Sequence, residues 1–210
     1  MFVLNDNNYR FDNCVWLKNK LQFLMFEAFE VTMTFANCQF DSNVTAKDGA
    51  FPFYAGKANI YNSVFQNNNG TPLGIPQYAN PHFEHCFFDS IPANLSPKIT
   101  FGPGNLTGID PQFADPAAGD FRLLPCSPLV HAGDNDHAGG ATDLEGNPRI
   151  AGGRVDIGVY ETEGPTIADE PIVAPSCNAD SSGIVAVQPS GGCPPYTISW
   201  TTSDGQTGEN

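Results

Sequence analysis

Two histidines and two aspartates fall within His131-Ala-Gly-Asp-Asn-Asp-His137, and those side chains on a glycine-containing loop have the donor atoms to bind a divalent cation. The candidate ligands are His131, Asp134, Asp136 and His137, with calcium as the candidate ion. Their spacing matches neither an EF-hand loop nor HExxH, so ordinary loop polarity accounts for the cluster equally well. His82, Glu84 and His85 are also close in sequence. Polysaccharide chemistry, however, needs paired carboxylates, or a carboxylate-bound cation beside a basic group. No residue is assigned a catalytic role, and no organic cofactor is implied. Of the 6 cysteines, Cys14, Cys38 and Cys86 stand far apart without CxxC spacing, which argues against zinc.

Composition narrows the partners. With 23 Asp+Glu against 9 Lys+Arg, the formal net charge of −14 repels phosphate backbones and anionic lipid headgroups, so neither nucleic-acid binding nor membrane insertion is expected. Extracellular glycans and cell-surface proteins fit better. The apolar stretch Leu21 to Phe29 is too short to span a bilayer, and no basic region opens the chain as a signal peptide would. Because the repeats are already under way by Tyr9, the natural beginning is expected upstream. Abundant Gly and Pro (21 and 18 residues) favour turns and strands over long helices.

The elements that position these residues follow from a repeat. Phe11-Asp-Asn-Cys-Val-Trp16, Phe35-Ala-Asn-Cys-Gln-Phe40, Ile60-Tyr-Asn-Ser-Val-Phe65 and Phe83-Glu-His-Cys-Phe-Phe88 align without gaps at spacings of 24, 25 and 23 residues. Short strands at such a period describe a solenoid. Residues two apart share a face of a strand, yet Phe11 and Cys14 are three apart, so the chain must turn a corner between them. Asn13, Asn37, Asn62 and His85 occupy that corner, and Asn tolerates the left-handed conformation best after glycine. Stacked repeats then give interior columns Phe11/Phe35/Ile60/Phe83, Cys14/Cys38/Ser63/Cys86 and Trp16/Phe40/Phe65/Phe88, with a ladder of corner asparagines bonded along its length. The cysteines are expected to be free and buried, since side chains parallel in one column are poorly aimed at each other. The outward positions are Asp12, Ala36, Tyr61 and Glu84 on one strand, and Val15, Gln39, Val64 and Phe87 on the other. They hold no acidic ladder. Tyr61 and Phe87 are expected to face solvent, where either could stack on a neutral sugar.

From Asp110 the repeat gives way to a loop-rich segment containing Asp110-Pro-Gln-Phe113, Gly119-Asp-Phe-Arg-Leu123, Cys126-Ser-Pro-Leu129, Asp143-Leu-Glu-Gly-Asn-Pro-Arg149 and Val155-Asp-Ile-Gly-Val-Tyr-Glu161. This succession resembles the C-terminal end of choice-of-anchor Q type parallel β-helix proteins of Bacteroidetes and similar bacteria. The resemblance implies export and a surface or matrix role, and carries over no catalytic residue. Physically the segment reads as a cap in which Phe113, Phe121, Leu123 and Leu124 cover the apolar end of the stack, locked by pairs from Arg149 and Arg154 to nearby acids.

Glu163 to Pro175 holds Gly164, Pro165, Pro171 and Pro175 and reads as a semi-rigid spacer. Ser176-Cys-Asn-Ala-Asp-Ser-Ser-Gly-Ile-Val-Ala-Val187 and Gly191-Gly-Cys-Pro-Pro-Tyr-Thr-Ile-Ser-Trp200 are similar to the SprB-type repeat of large gliding-motility adhesins. Ile184 to Val187 and Tyr196 to Trp200 read as strands, with Trp200 suited to a sandwich core, and Cys177 and Cys193 as a pair that an oxidising compartment could bridge.

The fold class expected is therefore all-β. Residues 1–109 form a right-handed parallel β-helix of the pectin-lyase kind, 110–162 its C-terminal cap, 163–175 a linker and 176–210 an incomplete immunoglobulin-like sandwich. The expected function is a non-catalytic, adhesin- or stalk-like module at the outer cell surface or outside the cell. The alternatives are a carbohydrate-active enzyme whose active site lies in further N-terminal repeats and a calcium-dependent glycan-binding protein.

Overall fold

The computed structural model describes residues 2–5, 8–21, 26–29, 31–45, 56–68, 79–91, 93, 95, 97–167, 187–201 and 205–209. The chain divides into two compact units, Met1–Thr162 and Glu163–Asn210. Both are built from strands, and the single helical turn among the described residues is a 3-10 turn at Asn135–His137. Among these residues no helix is long and apolar enough to cross a membrane.

The first unit is organised by two five-stranded parallel sheets whose strands alternate along the chain. The first sheet stacks Tyr9–Asp12, Thr32–Ala36, Gly56–Tyr61, Ala79–Glu84 and Thr100–Phe101; the second stacks Val15–Leu17, Gln39–Asp41, Val64–Gln66, Phe87–Phe88 and Leu106–Thr107. Shorter parallel pairs join Phe2–Asn5 to Phe26–Phe29 and Lys20–Leu21 to Val44–Thr45. The register is the one that the repeat dictates, pairing Phe11 with Phe35, Phe35 with Ile60 and Ile60 with Phe83 in one sheet, and Trp16, Phe40, Phe65 and Phe88 in succession in the other.

Stacking in register lays like rings face to face. Trp16 and Phe40 are 4.5 Å apart and 5° from parallel, Phe40 and Phe65 4.8 Å, and Phe65 and Phe88 5.1 Å. Phe35 meets Phe40 edge-on from the opposite sheet at 5.9 Å, so offset and edge-to-face contacts together fill the interior. The corners also match: Asn13, Asn37, Asn62 and His85 all have φ between 48° and 55°. A second left-handed corner, at Lys18, Ser42 and Asn67, follows the second sheet. A fifth repeat extends the stack, with Phe101 on Phe83 at 5.7 Å. It is hidden in the sequence because Phe101 follows Phe83 by only 18 residues.

Two expectations about this unit are corrected. The corner asparagines do not bond to one another. The ladder that exists is at Asn19, Asn43 and Asn68, where Asn19 Nδ2 donates to Asn43 Oδ1 at 2.8 Å and Asn43 Nδ2 to Asn68 Oδ1 at 3.0 Å. The corner column instead receives residues 131–158. Asn37 Nδ2 donates to the carbonyls of Asp156 and Gly158, both at 3.0 Å, and its Oδ1 accepts from the Gly139 amide at 2.9 Å. Asn62 grips both the amide and the carbonyl of Asp134, and Asn13 reaches the Thr142 carbonyl and Arg149.

Second, the segment lies along the flank of the stack rather than over its end. Phe113, Phe121, Leu123, Leu129 and Ile157 form a second core with Val64 and Phe87, the outward side chains of the second sheet. Leu124, assigned to cover the end, is 45% exposed. Arg149 is buried and its Nη1 pairs with Glu161 at 2.9 Å, while its Nη2 also reaches the Val159 carbonyl. Arg154 holds the segment through the Gly133 carbonyl at 2.7 Å rather than through an acid.

In the second unit, Thr166–Ile167 pairs antiparallel with Pro189–Ser190, so the stretch read as a spacer contributes a strand. Ser199–Thr201 forms a hairpin ladder with Thr207–Glu209. Trp200 is 51% exposed rather than in a core, its ring lying so close to Gly208 that an added Cβ would come within 2.2 Å. Ile184 to Ala186 and Cys177 lie outside the described residues, whereas Cys193 is disulfide-bonded.

Candidate functional site

The loop from His131 to His137 owes its shape to short-range capping. Asp134 precedes the 3-10 turn, accepting from the Asp136 amide at 3.1 Å through Oδ1 and contacting His137 Nδ1 at 2.9 Å through Oδ2. His137, through this hydrogen bond first, holds the Asp134 carboxyl below its ordinary range. The His137 ring lies over Tyr61 with centroids 3.7 Å apart. His131 is directed elsewhere: its amide donates to Asp156 Oδ1 at 2.7 Å, and its ring abuts Gly152, where a Cβ would sit 2.5 Å from Cε1. The four candidate ligands therefore do not converge. Among the described residues no three His, Cys, Asp or Glu side chains could hold a metal ion. The Asp134 carboxylate is turned to His137 and to the Asp136 amide, while the His131 amide is bonded to Asp156.

Phe87 is not a sugar platform, since it is 1% exposed beneath residues 113–157. The expectation treated every outward position as wet, but Gln39 and Val64 in the same column are also fully buried. Tyr61 is half-buried, and His137 occupies a face of its ring. Burial first, and the Glu84 carboxylate second, raise the Tyr61 phenol above its ordinary range.

The outward face of the first sheet brings together a group that the sequence reading divides. In-register pairing aligns Arg10, Thr34, Asn59, His82 and Thr100 in one column, and Asp12, Ala36, Tyr61 and Glu84 in the next. His82 links the two, contacting Thr100 Oγ1 at 2.9 Å through Nδ1 and Glu84 Oε2 at 3.3 Å through Nε2. The 18-residue step from Phe83 to Phe101 that hides the fifth repeat in the sequence hides Thr100 with it. The His82, Glu84 and His85 cluster is thus split: His82 and Glu84 share the outer face, whereas His85 sits at the corner, its titration lowered by burial.

Chemically, this face offers hydroxyl, amide, imidazole and carboxylate groups to a polar ligand. Its acids are engaged singly, Asp12 with Arg10 at 2.9 Å and Glu84 with His82. Each acid thus has a basic neighbour of its own, whereas glycoside cleavage uses two carboxyl groups that face each other across a bond. Comparison of the chain with protein-family models, with curated proteins and with solved structures finds no match in any of the three.

Proposed function

We propose that the chain is a non-catalytic, adhesin- or stalk-like module of an exported bacterial surface protein. In this reading the stacked sheets are a right-handed parallel β-helix of the pectin-lyase kind, residues 110–162 are a choice-of-anchor Q type ending, and the second unit belongs to an SprB-type, immunoglobulin-like repeat. The observation that carries the proposal is the use of the two outward faces. One is covered at Val64 and Phe87 by residues 113–157, and the other presents Thr34, Asn59, His82 and Thr100 as an in-register polar surface with its carboxylates individually paired. The net charge of −14 adds repulsion toward uronic-acid polymers and favours a neutral glycan or a cell-surface protein as partner. The disulfide at Cys193 fits an oxidising, extracellular location.

The test is to incubate the chain with pectin, alginate, chondroitin and neutral glycans, with and without calcium, and to assay unsaturated and reducing ends alongside binding. Binding without turnover is expected. Turnover abolished by Glu84→Gln or His82→Asn would replace this reading with the carbohydrate-active enzyme.

A further inference from the structure

We propose that Cys14 and Cys38 form a dithiol that closes to a disulfide when the chain meets a small-molecule disulfide such as oxidised glutathione. Both are free thiols, as is Cys86. The register places the first two one above the other, because Val15 pairs with Gln39, Asp12 with Ala36, and the Gln39 amide donates to the Cys14 carbonyl at 2.8 Å. Neighbouring strands run ~4.8 Å apart, inside the roughly 4.4–6.8 Å of Cα separation that a disulfide spans.

Parallel side chains in one column would normally pass alongside one another. Here the Cys38 sulfur reaches toward the repeat of Cys14, lying 3.3 Å from the Phe11 carbonyl oxygen as well as 3.4 Å from that of Ala36 in its own repeat. The Cys86 thiol leans the same way, to the Ile60 carbonyl at 3.4 Å, but the residue of its column in that repeat is Ser63. Ser63 thus separates one reactive pair from one isolated thiol. Cys14 is half-buried, whereas Cys38 and Cys86 are fully buried, so a reagent reaches the pair through Cys14. Reactivity agrees with access. The hydrogen bond from Cys38 outweighs burial and brings the Cys14 thiol down to about 7, while burial pushes Cys86 up to about 12.

The exchange balances. The Cys14 thiolate attacks one sulfur of the small disulfide and releases one thiolate; Cys38, whose thiol burial holds above its ordinary range, passes its proton to that released thiolate, attacks Cys14 Sγ and displaces the second. Two protein thiols are oxidised, and one disulfide is reduced to two thiols.

The reduced full chain, treated with oxidised glutathione, unfolded, alkylated and mapped by peptide mass spectrometry, should show a cross-linked Cys14–Cys38 peptide. Alkylation at both positions should be lost, and alkylation at Cys86 retained. Cys38→Ser should trap Cys14 as its glutathione adduct, and Cys14→Ser should leave Cys38 reduced; Ser63 already occupies the same column, so both variants keep the packing. A wild-type chain that retains glutathione on Cys14 with Cys38 still alkylated overturns the proposal. So does one in which both remain alkylated, or in which either pairs with another cysteine.

Discussion

In the stacked repeats, residues 24 or 25 positions apart meet in register and hold each other through ladder hydrogen bonds and ring faces. Between residues 110 and 161, one short antiparallel pair, Phe113–Asp115 with Asp120–Leu123, is the only named strand ladder among the described residues. That segment is held instead by corner side chains that grip its backbone, and by Arg149 at its centre. The stack is therefore stabilised by a repeated apolar pattern, and the segment by polar contacts that occur once each together with one apolar patch, Phe113, Phe121, Leu123, Leu129 and Ile157 against Val64 and Phe87. Damage should spread in the first and stay local in the second.

The largest effect should come from the ring columns. Phe40 is stacked on both sides, by Trp16 and Phe65, and is fully buried. Phe40→Ala should cost about 3–5 kcal/mol by losing those contacts and leaving a cavity. Phe87→Ala should cost a comparable amount, because Phe87 joins the second sheet to the segment; an unchanged denaturation midpoint would return it to the surface.

Next comes the corner. Asn37→Ala removes three buried hydrogen bonds to residues 139–158 and puts at φ 50° a residue that tolerates the left-handed conformation less well than Asn, and should cost about 2–3 kcal/mol. Asn37→Gly separates the two causes, since it tolerates the backbone but restores no bonds. Hydrogen exchange should rise in residues 131–158 and stay low in the strands for both variants. Equal loosening of strands and segment would erase the contrast.

These regions differ equally in what the sequence discloses. Columns, corners and register can be read because a period repeats the same demand at Phe11, Phe35, Ile60 and Phe83 until chance is excluded. The fifth repeat escapes because its shorter turn breaks the period. The docking of the segment escapes for another reason. Asn at a left-handed corner satisfies the backbone by itself, so nothing in Asn13, Asn37 or Asn62 announces that the amide also binds a chain more than 70 residues away. Phe87 was misplaced by the same gap, since alternation along a strand tells which face a side chain takes but not what covers that face. At the outer face, His82 and Glu84 were legible as neighbours, and Thr100 was not.

The third effect depends on pH. Burial first, and the Asp156 carboxylate second, raise Glu161 from an ordinary 4.5 to about 8, outweighing the opposing pull of Arg149. A carboxyl raised on folding contributes stability that is fully present below 4.5 and is lost as pH rises toward 8. Asp156 shifts the same way through burial. His85, lowered by burial, acts oppositely and removes stability as pH falls below its ordinary 6.5. Urea midpoints should therefore decline between pH 6.5 and 8, and Glu161→Gln should flatten that slope. A midpoint that does not fall through this interval would mean that the Arg149 pair keeps the acid ionised.

The smallest effect belongs to the loop that the sequence offers as a metal site. His137 contributes a ring contact to Tyr61 and a part-exposed contact to Asp134, so His137→Ala should lower stability by only about 1 kcal/mol. Loss of that ring uncovers Tyr61, and its fluorescence or phenol titration should change while the strands keep their exchange protection. Calcium sharpens the test. A cation binding the folded chain through these residues would raise the melting temperature with concentration, because ligand affinity adds to stability through mass action. Since the four side chains do not converge, melting should be the same in calcium as in chelator for the wild type, and for His137→Ala and Asp136→Asn alike. A calcium-dependent rise that Asp136→Asn abolished would show that the loop rearranges to gather its ligands, and would restore the calcium-dependent glycan-binding alternative.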